Sequence, residues 1–279
     1  SKKGINEAAT ETNCFGETSI NSTVSDLDNI KFKAFLLETS SSTNLSQATL
    51  VERSDITDDL MVVKMRPDEG HFNFKPGQYC TLGLDGIERA YSIASAPHEG
   101  VLELFVELVP DGALTPKMWS MKIGDSMTLR PRAKGIFTMN TKVHHHVMLG
   151  TVTGIVPYVS ILRSHLYKGD EGHKFYVFLG ASYEDELTYD KELQDMSNEY
   201  PDSISFIPTV SRPSEERNTN WNGPTGRVNT IYESYMDGLD LPKDDTLIYT
   251  CGHPGMIEDV RAKAVPSGWL FTEERFWKE

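Results

Sequence analysis

The chain has 279 residues, with 41 acidic against 27 basic side chains and a net charge of −14. That balance argues against nucleic acid as a partner, and no apolar run approaches the length of a membrane span. The length exceeds what one compact core usually needs, so two domains are expected. Cysteines occur only at Cys14, Cys80 and Cys251. They are too few and scattered for a disulfide framework, which fits a reducing, cytoplasmic compartment.

Residues 1–44 are rich in Ser, Thr, Asn and Glu, with one apolar cluster from Ile30 to Leu37. They read as a flexible polar extension. Short apolar or alternating runs follow. These are Ala48 to Arg53, Leu60 to Arg66, Gln78 to Leu84, Ala90 to Ala94, Leu102 to Leu108 and Ser126 to Pro131. Turn residues such as Pro76-Gly77, Asp85-Gly86 and Gly124-Asp125 separate them. Six close-spaced strands predict an antiparallel barrel or sandwich over 45–142, interrupted by a short helix near Thr115 to Met121. From 143 to the end the rhythm becomes strand–helix: Val147 to Gly150, Pro157 to Tyr167, Phe175 to Gly180, Leu187 to Glu199, Ser203 to Pro208, Val228 to Tyr235, Thr246 to Cys251 and Pro254 to Ala264. Alternation of that kind predicts a doubly wound parallel sheet, with ligands beyond the carboxyl ends of its strands.

Arg89-Ala90-Tyr91-Ser92 lies on a predicted strand, with Arg89 and Tyr91 on one face and Ala90 and Ser92 on the other. A cation, an aromatic face and a hydroxyl are what a flavin dinucleotide requires. Further on, Pro110-Asp111-Gly112-Ala113-Leu114-Thr115-Pro116 leads into a helix. Gly112 permits close backbone approach, Thr115 is a natural N-cap, and free N–H groups there suit a diphosphate. Together with Phe74-Lys75-Pro76-Gly77-Gln78-Tyr79, these segments resemble the ferredoxin/flavodoxin–NADP⁺ reductase family of the bacterial type, whose flavin motif reads Arg-x-Tyr-Ser. The likeness runs from about Ala48 to the C-terminus.

The resemblance implies an FAD-binding barrel over 45–142 and an NADP-binding α/β domain over 143–279. For the flavin it implies Arg89, Ala90, Tyr91 and Ser92, then Phe105, Val106 and Leu108, then Gly112, Ala113, Leu114 and Thr115, and finally Thr153. Ser92 would hydrogen-bond near the flavin N5. Gly150-Thr151-Val152-Thr153-Gly154-Ile155-Val156-Pro157 looks like the family's Gly-Thr-Gly-Thr-Gly-Ile-Ala-Pro loop, departing from it at Val152, where a side chain would crowd the pyrophosphate. Thr250-Cys251-Gly252-His253-Pro254-Gly255-Met256 resembles Cys-Gly-x-Pro-x-Met, which puts Cys251 beside the nicotinamide in a positioning role. Thr151, Gly154, Gly252 and Met256 would complete that wall. Ser211, Arg212 and Arg227 match positions that clamp the 2′-phosphate of NADP(H), and Ser182 stands where a third Arg is frequent. The terminal aromatics Phe276 and Trp277 would cover the flavin ring and adenine, so Phe276 must swing aside for nicotinamide. Ser92, Cys251 and Phe276 are thus the implied catalytic positions.

The activity implied is hydride exchange with NADPH/NADP⁺ and single-electron exchange with ferredoxin or flavodoxin, by a monomer. Lys117, Lys122, Arg130, Arg132 and Lys134 are the candidate basic patch for that acidic carrier. Alternatives are an NADH-dependent reductase of an oxygenase system, and a non-catalytic FAD-binding subunit working through partner assembly. His144-His145-His146 carries no accompanying ligand cluster and is not read as a metal site.

Overall fold

The computed structural model describes residues 45–275. The extension 1–44 and the terminal Phe276 and Trp277 lie outside the described residues. Six antiparallel strands form the first half: β1 (Ser46–Asp55), β2 (Leu60–Pro67), β3 (Tyr79–Leu84), β4 (Ile87–Ser92), β5 (Leu102–Glu107) and β6 (Ser126–Leu129). Their order is β4-β3-β6-β1-β2-β5. The ends nearly close, because the Ala94 N–H just past β4 donates to the Glu103 carbonyl of β5 at 2.8 Å. Asp85 and Gly86 make the two-residue β3–β4 turn with φ of 51° and 77°, the conformation such hairpins need. Alternating residues, among them Leu50, Met61, Val63, Leu82, Leu104 and Leu129, fill the interior. A short helix α1 (Thr115–Trp119) covers one end.

The second half is a five-stranded parallel sheet: β7 (His145–Thr151), β8 (Lys174–Ala181), β9 (Ile204–Val210), β10 (Thr246–Cys251) and β11 (Leu270–Glu274). Helices α2 (Val156–Lys168), α3 (Asp190–Glu199), α4 (Val228–Met236) and α5 (Pro254–Ala264) flank it. Both faces are buried, as a parallel sheet requires: Met148 joins one core, while Val147 and Leu149 join the other. Strand β11 is not foreseen by the sequence pattern, since Leu270–Glu274 carries two carboxylates and no apolar alternation. The order β11-β10-β7-β8-β9 reverses direction between β7 and β10, and at such a reversal a crevice opens above the sheet.

The two halves share a core. Phe137 of the barrel half packs on Tyr158 of α2 and Tyr249 of β10, with centroids 5.9 and 5.7 Å apart. Beside it Ser160 donates to the Ser95 carbonyl at 2.7 Å. Arg163 reaches Glu192 at 2.6 Å, Glu103 at 3.2 Å and Glu99 at 3.5 Å. Glu103 is 6% exposed, so the guanidinium compensates a carboxylate that water cannot reach.

The His triplet splits three ways. His144 meets the Asp245 carboxylate at 2.9 Å, His145 stacks on Tyr176, and His146 turns inward to Tyr249 Oη at 3.2 Å and His173 at 3.1 Å. Burial pushes the His146 imidazole down to about 3. Among the described residues, no group of three or more His, Cys, Asp or Glu side chains is placed to hold a metal ion. No described helix is long and apolar enough to cross a membrane.

Candidate cofactor and nucleotide clefts

Above β4, β5 and the start of α1 lies a cleft of about 360 Å³. Arg89, Ala90, Tyr91 and Ser92 all line it, with Gly112, Ala113, Leu114, Thr115 and Thr153. Phe105, Val106 and Leu114 reach it too, but they are 5%, 2% and 1% exposed. Their side chains belong to the buried cores. Leu108 does not line it; Val109 does. The Leu108 N–H is engaged by the Asp59 carbonyl at 2.8 Å.

The expected N-cap at Thr115 is corrected by the structure. Leu114 occupies the cap and Thr115 is the first helical residue. Its hydroxyl accepts from Val109 N–H at 2.9 Å and reaches the Val109 carbonyl at 3.2 Å, so it closes the 109–115 loop on itself. Gly112 belongs to that closure, because a Cβ there would stand 2.9 Å from the Val109 carbonyl oxygen.

Two polar atoms on this wall have no partner among the described residues. Tyr91 Oη and Ser92 Oγ are buried without a hydrogen bond, and burial raises the Tyr91 phenol above its ordinary range. Unmade hydrogen bonds of that kind cost roughly 1–3 kcal/mol each. A polar cofactor in the cleft would satisfy both. With the Arg89 cation at the rim, the residues present fit a flavin dinucleotide.

A second cleft of about 640 Å³ opens over the carboxyl ends of β7, β8 and β10. Thr151, Ser182, Ser211, Arg212, Arg227, Gly252 and Met256 line it. Thr153, Gly252 and Glu107 border both clefts, so the two spaces meet over the β7 and β10 loops. That junction is what hydride transfer between two bound dinucleotides requires.

Gly154 and Cys251 do not line this cleft, contrary to expectation. A Cβ on Gly154 would lie 2.2 Å from the Cys251 carbonyl oxygen, and one on Gly252 2.2 Å from Thr151 Oγ1. These glycines let two loops pack together, and the His253 N–H donates to Thr151 Oγ1 at 2.8 Å across the same seam. Cys251 is fully buried. Burial and the nearby Glu274 carboxyl hold its thiol well above the usual range, so it is no nucleophile. Val152, where the family loop carries Gly, adopts φ of +46°, a left-handed conformation costly for a β-branched residue.

Beside Ser182 the run Glu184-Asp185-Glu186 makes an acidic neighbourhood, organised by residues outside the sequence motifs. Tyr183 carries the Arg217 guanidinium 3.9 Å from its ring centroid, and Arg217 also pairs with Asp185 and Glu186. Arg212 sits 3.1 Å from Tyr183 Oη and 3.5 Å from Glu215 Oε1. Arg227 is exposed at the start of α4 and makes no ion pair among the described residues. Glu274 was also passed over. It ends β11 beside Cys251, and burial lifts its carboxyl to about 7. Two acids in a terminal tail gave no hint of it.

The expected basic patch is thinner than its residue count. Lys117 pairs with Asp85, and Arg130 is held by Glu88 at 2.8 Å. Among the described residues, Lys122, Arg132 and Lys134 make no ion pair.

Comparison with known proteins agrees with this architecture. A profile described as "Oxidoreductase FAD-binding domain" matches residues 47–137, and one described as "Oxidoreductase NAD-binding domain" matches 148–262. The chain is 33% identical over 199 residues to the flavodoxin/ferredoxin–NADP reductase of Escherichia coli K12, covering 67% of this chain and 77% of that protein. It is 26% identical over 237 residues to NADH-cytochrome b5 reductase 1 of Candida glabrata, covering 81% of each. The fold is similar to that of a ferredoxin NADP⁺ reductase from Neisseria gonorrhoeae solved with FAD and NADP bound. There the TM-score is 0.71 at 24% identity, over 83% of this chain and 98% of that one. An antiparallel barrel joined to a parallel sheet, a cleft on each, and sequence kinship across both halves lead to one conclusion: the chain belongs to the ferredoxin/flavodoxin–NADP⁺ reductase family and is an oxidoreductase with an FAD-binding and an NAD(P)-binding domain.

Proposed function

We propose that the protein accepts a hydride from NADPH and passes electrons singly to a small acidic carrier, ferredoxin or flavodoxin. The observation that carries this is the meeting of the two clefts over Thr153 and Gly252. Bound FAD would supply the conversion of a two-electron donor into one-electron steps. Arg89 would balance its pyrophosphate, and the Tyr91 and Ser92 hydroxyls, which have no partner among the described residues, would hydrogen-bond it. Thr151 holds the β10 loop in place through His253, which keeps the nicotinamide wall rigid. Arg227 and Arg212 are the guanidinium groups available for a 2′-phosphate. The carrier would dock at Arg132 and Lys134, where the positive charge is not spent on internal ion pairs.

NADH is the second reading. It is favoured by Ser182 standing amid Glu184, Asp185 and Glu186 and by the engagement of Arg212 with Glu215. Anaerobic titration with NADPH and then NADH, followed at the flavin absorbance, tests the proposal. Bleaching by about one equivalent of NADPH is expected. A flavin that neither nucleotide reduces would overturn the reading.

A further inference from the structure

One arginine of the nucleotide cleft already faces an anion of the chain's own. Both carboxylate oxygens of Glu215 are taken up at the site where NADP(H) would place its distinguishing group: Oε1 faces Arg212 Nη1 at 3.5 Å, and Oε2 receives the Tyr183 hydroxyl. Arg212 Nη1 also lies 3.1 Å from that hydroxyl oxygen, so guanidinium, phenol and carboxylate form a closed three-membered set. A guanidinium beside a hydroxyl donor is the set that a phosphate monoester seeks. Glu215 already satisfies it from within the chain. Arg212 lines the cleft, while Tyr183 and Glu215 do not line it and meet it through their contacts with Arg212. Arg217 stacks on the Tyr183 ring and pairs with Asp185 and Glu186. It therefore braces the phenol and brings no free charge.

We infer that Glu215 sets nucleotide preference by acting as an internal substitute for the 2′-phosphate on Arg212. The inference rests on the reading of this cleft as the nucleotide site. A ligand with a 2′-phosphate must displace the carboxylate and then bind beside it, whereas a ligand with a bare 2′-hydroxyl leaves the set intact. Glu215 thereby narrows the advantage of NADPH over NADH that Arg212 and Arg227 would otherwise give.

The test uses two fragments, 2′,5′-ADP and 5′-AMP, titrated calorimetrically into the full chain and one variant at low salt. The readout is the ratio of their affinities. Glu215→Gln keeps the shape and removes the charge. It is expected to raise the ratio in favour of 2′,5′-ADP about fivefold, the size of one like-charge contact between half-exposed groups, with 5′-AMP affinity unchanged. The gain should shrink as salt is added. Binding of both fragments with a ratio unchanged by Glu215→Gln overturns the inference and leaves the nucleotide cleft standing. Failure of both fragments to bind the unmodified chain overturns the inference and the reading of the cleft together.

Discussion

Val152 invites the most direct test, because its backbone and its position make opposite demands. Its φ is +46°, and the left-handed region costs an L-residue about 1–2 kcal/mol. Replacing it by Gly releases that strain but loosens the unfolded chain, which costs about 0.4–1 kcal/mol. It also gives up the packing of a half-buried side chain against the Ile155 and Val156 core, about 1 kcal/mol for half of a Val burial. The net change against Val is thus near zero. The informative comparison is between the Gly and Ala replacements, since both discard the packing and only Ala keeps a Cβ. The Val152→Gly variant should be more stable than Val152→Ala by about 0.5–1 kcal/mol, the reverse of the usual order of the two residues. Urea unfolding of the two variants measures this directly. An Ala variant as stable as the Gly variant would refute the strain argument. The cleft adds a second readout: Val152 lines it, so Val152→Gly should tighten binding of a dinucleotide severalfold while Val152→Ala does so less.

Four other outcomes follow from the same structure. His146 is neutral in the fold, at about 3 against about 6.5 when unfolded, so stability is full above pH 6.5 and drains away as pH falls; at pH 5 the loss should be about 2 kcal/mol, read as a lowered melting temperature that His146→Phe largely abolishes. Glu274 behaves oppositely: it titrates near 7 in the fold, so stability is full below its ordinary value and declines as pH rises through 7. Glu274→Gln should therefore gain about 2 kcal/mol at pH 8, after allowance for partial exposure, and nothing at pH 4. Arg163→Met strands the buried Glu103 and should cost about 3 kcal/mol or more, seen as a lower urea midpoint. Arg89→Ala removes the cation at the flavin cleft and should weaken FAD retention about tenfold to a hundredfold, measured by flavin fluorescence on dilution.

Chain-local features were open to reading in advance. The Asp85-Gly86 hairpin, the run of short strands in the first half and the strand–helix rhythm of the second depend on neighbours in sequence, and the structure has them all. Features decided by contacts across the fold were not. Thr115 looked like a cap because Thr favours caps, yet its hydroxyl is taken by Val109, six residues back. Strand β11 has no pattern of its own and exists because β10 offers it an edge. Arg212 reads in sequence as a cation free for a phosphate, yet Glu215, three residues on, stands 3.5 Å from its guanidinium. Lys117 and Arg130 counted as free cations until Asp85 and Glu88 arrived from the neighbouring hairpin.

The glycines carry the same lesson into the site. Gly154 and Gly252 occupy the positions a dinucleotide motif demands, but their missing side chains face protein: the Cys251 carbonyl in one case, Thr151 in the other. Their immediate role is to let the β7 and β10 loops touch where the strand order reverses. Touching loops make one continuous wall, and that wall borders both clefts through Thr153 and Gly252. A side chain at either glycine would drive the loops apart and separate the clefts before it blocked any ligand. The motif therefore specifies the junction on which the proposed hydride transfer would depend, and Val152 can depart from it because it lies on the lip of that wall and not in its seam.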